Sequence, residues 1–448
     1  MTGNPETPDR PTCNERIVLL SLAVVVYLVP SVLGRGERVG PAPHFAQLAA
    51  SFLHGTARIT ISSDAPGGMA VALNGHAFPD VNELIPTDGE SFYCAYPPLP
   101  AVLLMPFVVL FGSAVQVGTA CRVVSVLNVL LMHACLGRLP QRLGLCGTGV
   151  LPVQTQARRP GHARIALTLL FAFGTVCWHN AEMGGDWHLA HAVALAAMLL
   201  ALREWLAAAR PLAIGGFVAL ALLTRPTAAL GGLLFVLPLL RAGQVPKLVR
   251  LLAAPAVAVL LLALYNNARF GSPTDFGYER MILRGDGLAM MQQYGQFHPH
   301  FVPRNVFWFF LAPPWPTPDG RFPFLGFDPR GLSLFIATPA LWYAVAGLAR
   351  RWREAAVRDA LIAVAACLLP LLLYFNTGYA QFGHRFSMDY LPLLMVLVVA
   401  GMGARPSRLA YAAIAVSILI QTWGVFLVPL TRLPGWIVLA AKWTCRVC

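Results

Sequence analysis

Long runs of apolar residues recur along the whole chain, separated by short polar segments. Eleven of them reach or approach the length that an α-helix needs to cross the roughly 30 Å hydrocarbon layer of a bilayer. They lie at about 17–34, 119–137, 165–179, 188–206, 211–224, 227–240, 251–266, 332–349, 359–375, 389–403 and 409–430. This pattern predicts an all-α membrane protein with about 11 transmembrane helices.

A further apolar segment, residues 97–112, contains four prolines up to Pro106. Each proline removes a backbone donor, and the carbonyl left unpaired needs another partner inside lipid. A full crossing would also place the basic residues of 138–164 outside the cytoplasm. We therefore expect this segment to dip into the membrane and return, or to lie at the interface. The alternative is an ordinary crossing followed by a basic outer loop.

Composition agrees with the membrane assignment. Hydrophobic residues make up 57% of the chain and charged residues 12%, and mean hydropathy is +0.63. A soluble domain carries about twice that charged fraction. The net charge of +13 would suggest a nucleic-acid partner in a soluble protein, but the basic residues here form short clusters between apolar runs. We expect membrane lipids, and no nucleic acid, as partners.

The basic clusters predict the topology. They fall at 138–164, 203–210, 241–250, 350–358 and 405–408, and the positive-inside rule assigns them, with the N-terminus, to the cytoplasm. The prediction is a multi-pass protein of the cell membrane, with residues 1–448 forming a single domain. Its large extracytoplasmic loops would be residues 35–118, which contain the membrane-dipping segment, and residues 267–331.

The first predicted loop is rich in carboxylates, among them Asp64, Asp80 and Glu83. A carboxylate close to both lipid head groups and water can act as a general base or as a metal ligand. The alternative for each acid is a solvated position without a specific role. We expect at least one of them to be functional.

The turn near residue 185 combines Glu182, Asp186 and His188. Carboxylates beside imidazoles can hold a divalent cation or orient an acceptor hydroxyl. The spacing matches no established metal motif, so a divalent cation is an option and no other cofactor is predicted. The alternative is a set of polar helix ends at the interface, with Trp178 and Trp187 as aromatic anchors.

Four further residues are candidates for binding a lipid phosphate. His384 and Arg385 stand at the mouth of an apolar helix, where a guanidinium can grip a phosphate through two parallel hydrogen bonds. Arg225 interrupts an otherwise uncharged run from Pro211 to Leu240, so it either ends a helical hairpin or serves an intramembrane site. Arg280 lies in the second large loop. An interfacial arginine can also simply extend its charge to water.

Several segments, in this order, resemble the GT-C superfamily of membrane glycosyltransferases, which includes protein mannosyltransferases and aminoarabinose transferases. They are HFAQLAASFLHG at 44–55, FYCAYPPLPAVLLMPFVVLFG at 92–112 followed by CRVVSVLNVL, ALLTRPTAAL at 221–230, LYNNARFGSPTDFGY at 264–278 and GHRFSMDYLPLLMVL at 383–397. Together they extend over roughly residues 40–400. Each motif is loose, and the ordered set is more specific.

The resemblance implies a GT-C-like fold with a large first extracytoplasmic loop. It also implies inverting transfer of a sugar from a polyprenyl-phosphate carrier to the hydroxyl of a glycan, lipid or protein acceptor on the outer face. The family commonly has a catalytic carboxylate soon after the first helix, where this chain has Ala42 and Pro43 ahead of His44. We therefore expect the base among Asp64, Asp80, Glu83 and His44, and the donor phosphate at Arg385.

Two other classes of function remain open at this point. A secondary transporter or a translocator of lipid-linked sugars would also have many helices, but the chain has no detectable two-half repeat. A catalytically silent subunit of an envelope-assembly system is the other alternative, because the usual carboxylate is replaced at Ala42 and Pro43.

Overall fold

The structure is a computed structural model that describes residues 21–27, 44–60, 71–73, 76–78, 84–87, 91–112, 115–145, 160–281, 286–316, 324–379 and 381–427. Three predicted catalytic acids, Asp64, Asp80 and Glu83, lie outside these residues, as do Ala42 and Pro43. The other candidate residues are described.

Most of the described chain is helical, which confirms the prediction of a predominantly helical protein. Residues 21–27 are helical. The α-helices that follow are α1 His44–Leu53, α2 Leu99–Phe111, α3 Val117–Leu136, α4 Leu139–Arg142, α5 Pro160–Phe173, α6 Val176–Met183, α7 Asp186–Trp205, α8 Pro211–Leu222, α9 Pro226–Ala229, α10 Leu233–Arg241, α11 Val245–Phe270, α12 Asp286–Tyr294, α13 Val302–Val306, α14 Leu334–Ala337, α15 Trp342–Arg351, α16 Ala355–Leu373, α17 Leu391–Met402 and α18 Arg408–Thr422. Short 3₁₀ turns occur at Leu230–Gly232, Tyr278–Arg280, Pro299–Phe301, Pro339–Leu341 and Arg385–Asp389, and π-helical turns at Phe307–Leu311 and Trp423–Leu427.

Among the described residues, four helical stretches are long and apolar enough to cross a membrane. They are α3, α11, α16 and the stretch formed by α18 with its π-helical continuation. The pair α5–α6, bent by 43°, would make a fifth span. Shorter apolar helices are α2, α8, α17 and the stretch Pro226–Arg241. The coarse prediction of a chain with several membrane-spanning helices agrees with these lengths, and the count of 11 stays a prediction.

The short helices end where the sequence interrupts them. Pro226 has no backbone N–H and pushes Arg225 into an extended conformation, which separates α8 from α9. The 3₁₀ turn Leu230–Gly232 then separates α9 from α10. Helix α17 has 12 residues, or about 18 Å. Its first turn contains Pro392, which is suited to a helix start.

Small strands accompany the helices. Strands β1 Arg58–Thr60, β4 Leu84–Pro86 and β5 Ser91–Cys94 form an antiparallel sheet in the order β1–β5–β4. Two further antiparallel pairs are β2 Val71–Leu73 with β3 His76–Phe78, and β6 Trp315–Pro316 with β7 Leu325–Gly326. The all-α expectation missed these strands because segments of two to four residues are too short to display a period of two.

One end of the helix bundle, here called the basic end, collects the arginine clusters. The Arg142 guanidinium lies 4.4 Å from the centre of the Trp205 ring, and Arg351 Nη1 donates to the Leu143 carbonyl over 3.3 Å. These contacts bring together the chain near 142, the end of α7 and the end of α15. Other contacts at helix ends linked to this region are Arg164 with the His133 carbonyl, Arg210 with Glu204, and Arg241 with Asp359.

The opposite end, here called the site end, collects the start of α7, the α8–α9 break and the segment before α17. The Leu99 N–H donates to the Leu223 carbonyl over 3.2 Å, which places the start of α2 at this end. Leu99 belongs to the same buried cluster as Val117 at the start of α3.

Close helix packing positions α17, which carries the site segment. Added Cβ atoms at Gly347 of α15 and Gly401 of α17 would lie 2.3 Å from the Leu397 carbonyl oxygen and 1.9 Å from the Tyr343 carbonyl oxygen. Only glycine allows this approach of two backbones, as at small-residue contacts between membrane helices. All residues of α17 are buried.

Candidate functional site

Asp389, in the 3₁₀ turn before α17, is the centre of a buried polar cluster. Arg225 Nε lies 2.7 Å from Oδ1 and Arg225 Nη2 lies 3.0 Å from Oδ2, which is the bidentate geometry of a guanidinium–carboxylate pair. The Thr227 hydroxyl donates to Oδ2, and His191 Nδ1 lies 3.2 Å from Oδ1. Three elements, α7, the α8–α9 break and the 385–389 turn, thus meet at one carboxylate.

The charge of this carboxylate follows from its surroundings. The bidentate contact with Arg225 and the hydrogen bonds from Thr227 and His191 all favour the ionised form of Asp389. Because an ionised carboxylate only accepts hydrogen bonds, His191 carries a proton on Nδ1, and in the neutral ring Nε2 keeps an acceptor lone pair.

The loop before Asp389 takes its path from glycine and glutamine. Gly383 has φ of +76°, and a Cβ there would lie 2.9 Å from Val176 Cγ1, so a side chain would be strained and crowded. The Gln381 amide donates to the carbonyls of Arg330 and Thr377. Its Oε1 accepts the Arg385 N–H over 3.1 Å. These bonds fix the backbone from which Arg385 projects.

Arg385 is buried at the site end. Its Nη1 lies 3.4 Å from His188 Nε2 and donates to the Tyr379 carbonyl over 3.2 Å. Its guanidinium carbon lies 5.3 Å from the centre of the Trp187 ring and 5.5 Å from that of Phe386. Arg225 also lies 5.5 Å from the Phe386 ring centre. Two predicted phosphate-binding arginines are thus brought to the same aromatic ring.

His384 is stacked against Phe309, with ring centres 3.5 Å apart. Phe309 belongs to the π-helical turn 307–311, a distortion that is frequent at functional sites. The side chain is 1% exposed. Burial lowers the pKa of His384 well below its usual value, so the ring is neutral near pH 7.

Asp186 serves two helix starts. Lying in the first turn of α7, it complements the positive end of that helix. Its two carboxylate oxygens also accept the backbone N–H groups of His44 and Phe45, over 3.0 and 2.9 Å, at the start of α1. The His44 ring lies 3.7 Å from Asp186. Two predicted candidates, His44 and Asp186, are therefore in contact.

The end of the first loop is tied to the site end. The Trp187 indole N–H donates to the Tyr96 hydroxyl, and Arg269 Nη1 donates to the Cys94 carbonyl over 2.6 Å. Trp187 also contacts Arg385. A single side chain, that of Trp187, therefore separates Tyr96, which follows β5, from the Arg385 guanidinium. The carboxylates predicted as bases belong to the same loop.

Two predicted residues make different contacts. Glu182 is buried in α6, and its backbone carbonyl accepts a hydrogen bond from Arg122 Nη2 over 3.3 Å. Arg280 pairs with Asp275 and lies over the Phe270 ring. These partners belong to the 267–331 loop and the end of α11. In the described part of the chain, these contacts hold Arg280 away from the Asp389 cluster, against Asp275 and Phe270.

The sequence patterns assigned no individual role to Asp389, Thr227 or His191. A signal for Asp389 was present, because an arginine in an apolar run needs a counter-charge. In the structure, Asp389 in the 3₁₀ turn before α17 meets that need. Thr227 gave no such signal, since a threonine after proline is common at helix starts.

A metal site is not apparent in the part of the chain that the structure describes, where no three His, Cys, Asp or Glu side chains are grouped for ligation. Asp186 accepts hydrogen bonds at the start of α1, and His188 lies beside Arg385. The divalent cation stays a prediction that the described residues do not test.

Comparison of the chain with family models, with curated proteins and with solved structures finds no match.

Proposed function

We propose that this protein transfers a sugar from a polyprenyl-phosphate carrier to an acceptor hydroxyl on the extracytoplasmic face of the cell membrane. The site would lie at the site end of the bundle, opposite the arginine clusters that the positive-inside rule assigns to the cytoplasm. The eleven-helix topology and the GT-C-like architecture belong to this proposal.

One observation carries the proposal. Arg225 and Arg385, separated by 160 positions in the sequence, both lie 5.5 Å from the Phe386 ring, in a buried region beside the end of the first loop. Arg225 is bonded to Asp389, and Arg385 lies beside the His188 ring and the Tyr379 carbonyl. Two guanidinium groups held at one place would favour an anionic ligand there, and a lipid phosphate is the anion that a membrane supplies.

The chemistry of the step is simple. The acceptor oxygen forms a bond to the anomeric carbon, while the bond from that carbon to the phosphate oxygen breaks and leaves its electron pair on the phosphate. The hydroxyl proton passes to a general base. Because the leaving phosphate gains negative charge away from bulk water, a fixed guanidinium at Arg385 lowers the barrier.

The general base remains assigned to the first loop. Asp64, Asp80 and Glu83 are the carboxylate candidates, and the contact of Trp187 with Tyr96 supports an approach of this loop to Arg385. His44 is a further candidate, and its ring lies beside Asp186 at the buried start of α1.

The proposal is tested with full-length protein in liposomes, supplied with a synthetic polyprenyl-phosphate sugar and a mixture of membrane acceptors. Charge-assisted hydrogen bonds contribute about 1.5–3 kcal/mol, so Arg385→Ala should lower transfer by roughly 10- to 100-fold. Transfer by Arg385→Lys should lie between that of the wild type and that of Arg385→Ala, because lysine keeps the charge but not the bidentate geometry.

The matched control is Arg210→Ala, which removes an arginine at the basic end and should leave transfer unchanged. Accumulation of substrate inside sealed vesicles without a covalent product would contradict the proposal and favour a transporter. Equal losses for Arg385→Ala and Arg210→Ala would contradict the assigned position of the phosphate.

A further inference from the structure

Several buried polar atoms in one segment of seven residues have no hydrogen-bond partner within the described ranges. They are Nδ1 and Nε2 of His384, the Ser387 hydroxyl and the Tyr390 hydroxyl. Other such atoms, for example Trp178 Nε1 and Thr338 Oγ1, are scattered over the rest of the described chain. The side chains of His384, Ser387 and Tyr390 are at most 1% exposed. Proteins rarely leave so many buried groups unsatisfied, so such a concentration suggests a missing polar partner.

These three residues are spaced by three, across the 3₁₀ turn Arg385–Asp389 and its two flanking residues. Because a 3₁₀ helix has three residues per turn, side chains with this spacing share one face. The ring centres of His384 and Tyr390 lie 6.4 Å apart, so the ends of the row converge. We call His384, Ser387 and Tyr390 the polar stripe.

His191 adds a group of the same kind. Its Nδ1 is bonded to Asp389, and its Nε2 is buried and has no partner among the described residues. The rings of His191 and His384 lie 5.6 and 5.7 Å from that of Phe386. His191 and the polar stripe are therefore in contact with the same aromatic ring.

The chemistry of these groups points to a neutral ligand. Two hydroxyls and two imidazoles offer donors and acceptors without a formal charge, and the ring faces of Phe309 and Phe386 lie beside them. An array of this kind suits a ligand that presents several hydroxyl groups on an apolar ring. Arg385 belongs to the same turn, and Arg225 lies against it through Asp389. A phosphate would be bound at these charged groups.

We propose that the polar stripe, together with His191 Nε2, binds the hydroxyl groups of the sugar carried by the polyprenyl-phosphate donor. This inference rests on the proposed function, because it assigns the sugar and not the phosphate to these residues. Recognition of the sugar then comes from the turn before α17, and Arg385 in the same turn holds the phosphate.

The test compares two lipids on purified full-length protein in detergent: polyprenyl phosphate alone, and polyprenyl phosphate carrying a hexose. Wild-type protein should bind the sugar-bearing lipid more tightly. Ser387→Ala and Tyr390→Phe should each weaken that binding by about 3- to 10-fold, the effect of one lost neutral hydrogen bond, and should leave the affinity for bare polyprenyl phosphate unchanged.

Two control variants separate recognition from stability. Ser417 is buried, and its hydroxyl donates to the Ala413 carbonyl and accepts the Ala340 N–H, so Ser417→Ala should lower the Tm and spare affinity. Tyr265 has a buried hydroxyl without a described partner, at the end of α11. Tyr265→Phe should change neither quantity. Ser387→Ala and Tyr390→Phe should keep the wild-type Tm without ligand, because they remove no internal side-chain hydrogen bond.

The outcomes are distinct. Failure of both lipids to bind would overturn the proposed function, and this inference with it. Binding of both lipids with equal affinity would overturn the sugar assignment alone. An affinity difference that survives Ser387→Ala and Tyr390→Phe would do the same, and would indicate that water molecules satisfy the stripe.

Discussion

The two ends of the bundle contain the same chemical pair in different surroundings. At the basic end, Arg241 is bonded to Asp359 and its side chain is 46% exposed. At the site end, Arg225 is bonded to Asp389, with exposures of 20% and 0%. The Arg241 guanidinium is in contact with water although its partner carboxylate is buried, as is common for arginines at membrane surfaces. The Arg225 pair is largely removed from water.

This difference indicates what each pair does. A buried ion pair contributes little net stability, because desolvation offsets most of the attraction, and apolar residues of similar size can replace it without loss. The basic-end pair needs no explanation beyond solubility and topology. The site-end pair is satisfied further by Thr227 and His191, which agrees with the proposed position of the site.

The largest expected effect comes from removing the buried carboxylate. Asp389→Asn keeps the shape but leaves Arg225 without its counter-charge in a buried position, so unfolding should become easier by about 3–5 kcal/mol. Thermal unfolding in detergent, followed by tryptophan fluorescence, measures the change. The comparison variant Glu204→Gln, at the exposed Arg210 pair, should lose far less. Equal losses of stability for Asp389→Asn and Glu204→Gln would contradict the difference between the buried pair and the exposed pair.

The second effect concerns pH. The folded protein keeps His384 neutral because burial lowers its pKa, whereas the unfolded chain takes up a proton below an ordinary pKa of about 6.5. The contribution of His384 to the free energy of unfolding is therefore constant above that pH. It falls as the pH decreases, by about 2 kcal/mol between pH 7.5 and 5.0.

His384→Phe keeps an aromatic ring against Phe309 and removes the titrating group. The variant should lose less stability than the wild type between pH 7.5 and 5.0, as measured by Tm in matched buffers. The neighbouring charged and titratable groups, Asp389, His191, Arg225 and Arg385, are common to both proteins. If the Tm of the two proteins fell equally between pH 7.5 and 5.0, His384 would be taking up its proton in the folded state as it does in the unfolded chain, contrary to this prediction.

A smaller effect distinguishes the helix caps of the two ends. Asp186 caps α1 from another helix, whereas Ser407 caps its own helix α18 by accepting the Ala410 N–H. Loss of a cap costs about 0.5–2 kcal/mol. The loss for Asp186→Asn should lie near the upper limit of this range, because the substitution also removes the charge that favours two helix N-termini. The loss for Ser407→Ala should lie nearer the middle of the range. Tm measurements decide the order, and a larger loss for Ser407→Ala would be contrary to it.

The smallest effect is expected at Arg280. Its pair with Asp275 has exposures of 53% and 29%, and surface pairs contribute at most about 1 kcal/mol. Arg280→Ala should therefore change the Tm little, and it should reduce sugar transfer far less than Arg385→Ala. A loss of transfer equal to that of Arg385→Ala would restore Arg280 as a phosphate ligand.

Much of the helical framework was predictable, because apolar runs and prolines act locally. The predicted run 188–206 corresponds to α7, and the run 211–224 to α8. The α5–α6 bend was not predicted, since Gly174 and Thr175 interrupt an apolar pattern without a proline. The strands of the first loop were missed because each is too short to carry a periodic signal.

The site was only partly predictable. Arg225, Arg385, His384 and His188 were singled out because charge and imidazole are unusual beside apolar helices. Their arrangement was not foreseen, because hydrogen bonds such as that of Arg225 with Asp389 join residues 164 positions apart. A one-dimensional pattern indicates that a buried charge needs a partner, but not which acid supplies it.

The sequence alone determined that the chain is helical and apolar, where its helices break, and which charged residues are out of place, because these properties depend on neighbours within a few turns. Only the tertiary structure decided that Asp389 unites Arg225, Thr227 and His191, and that His384, Ser387 and Tyr390 face inward together. The physical reason is that burial and partnership depend on which helices pack against one another, and close contacts such as that of Gly347 with Gly401 select that packing.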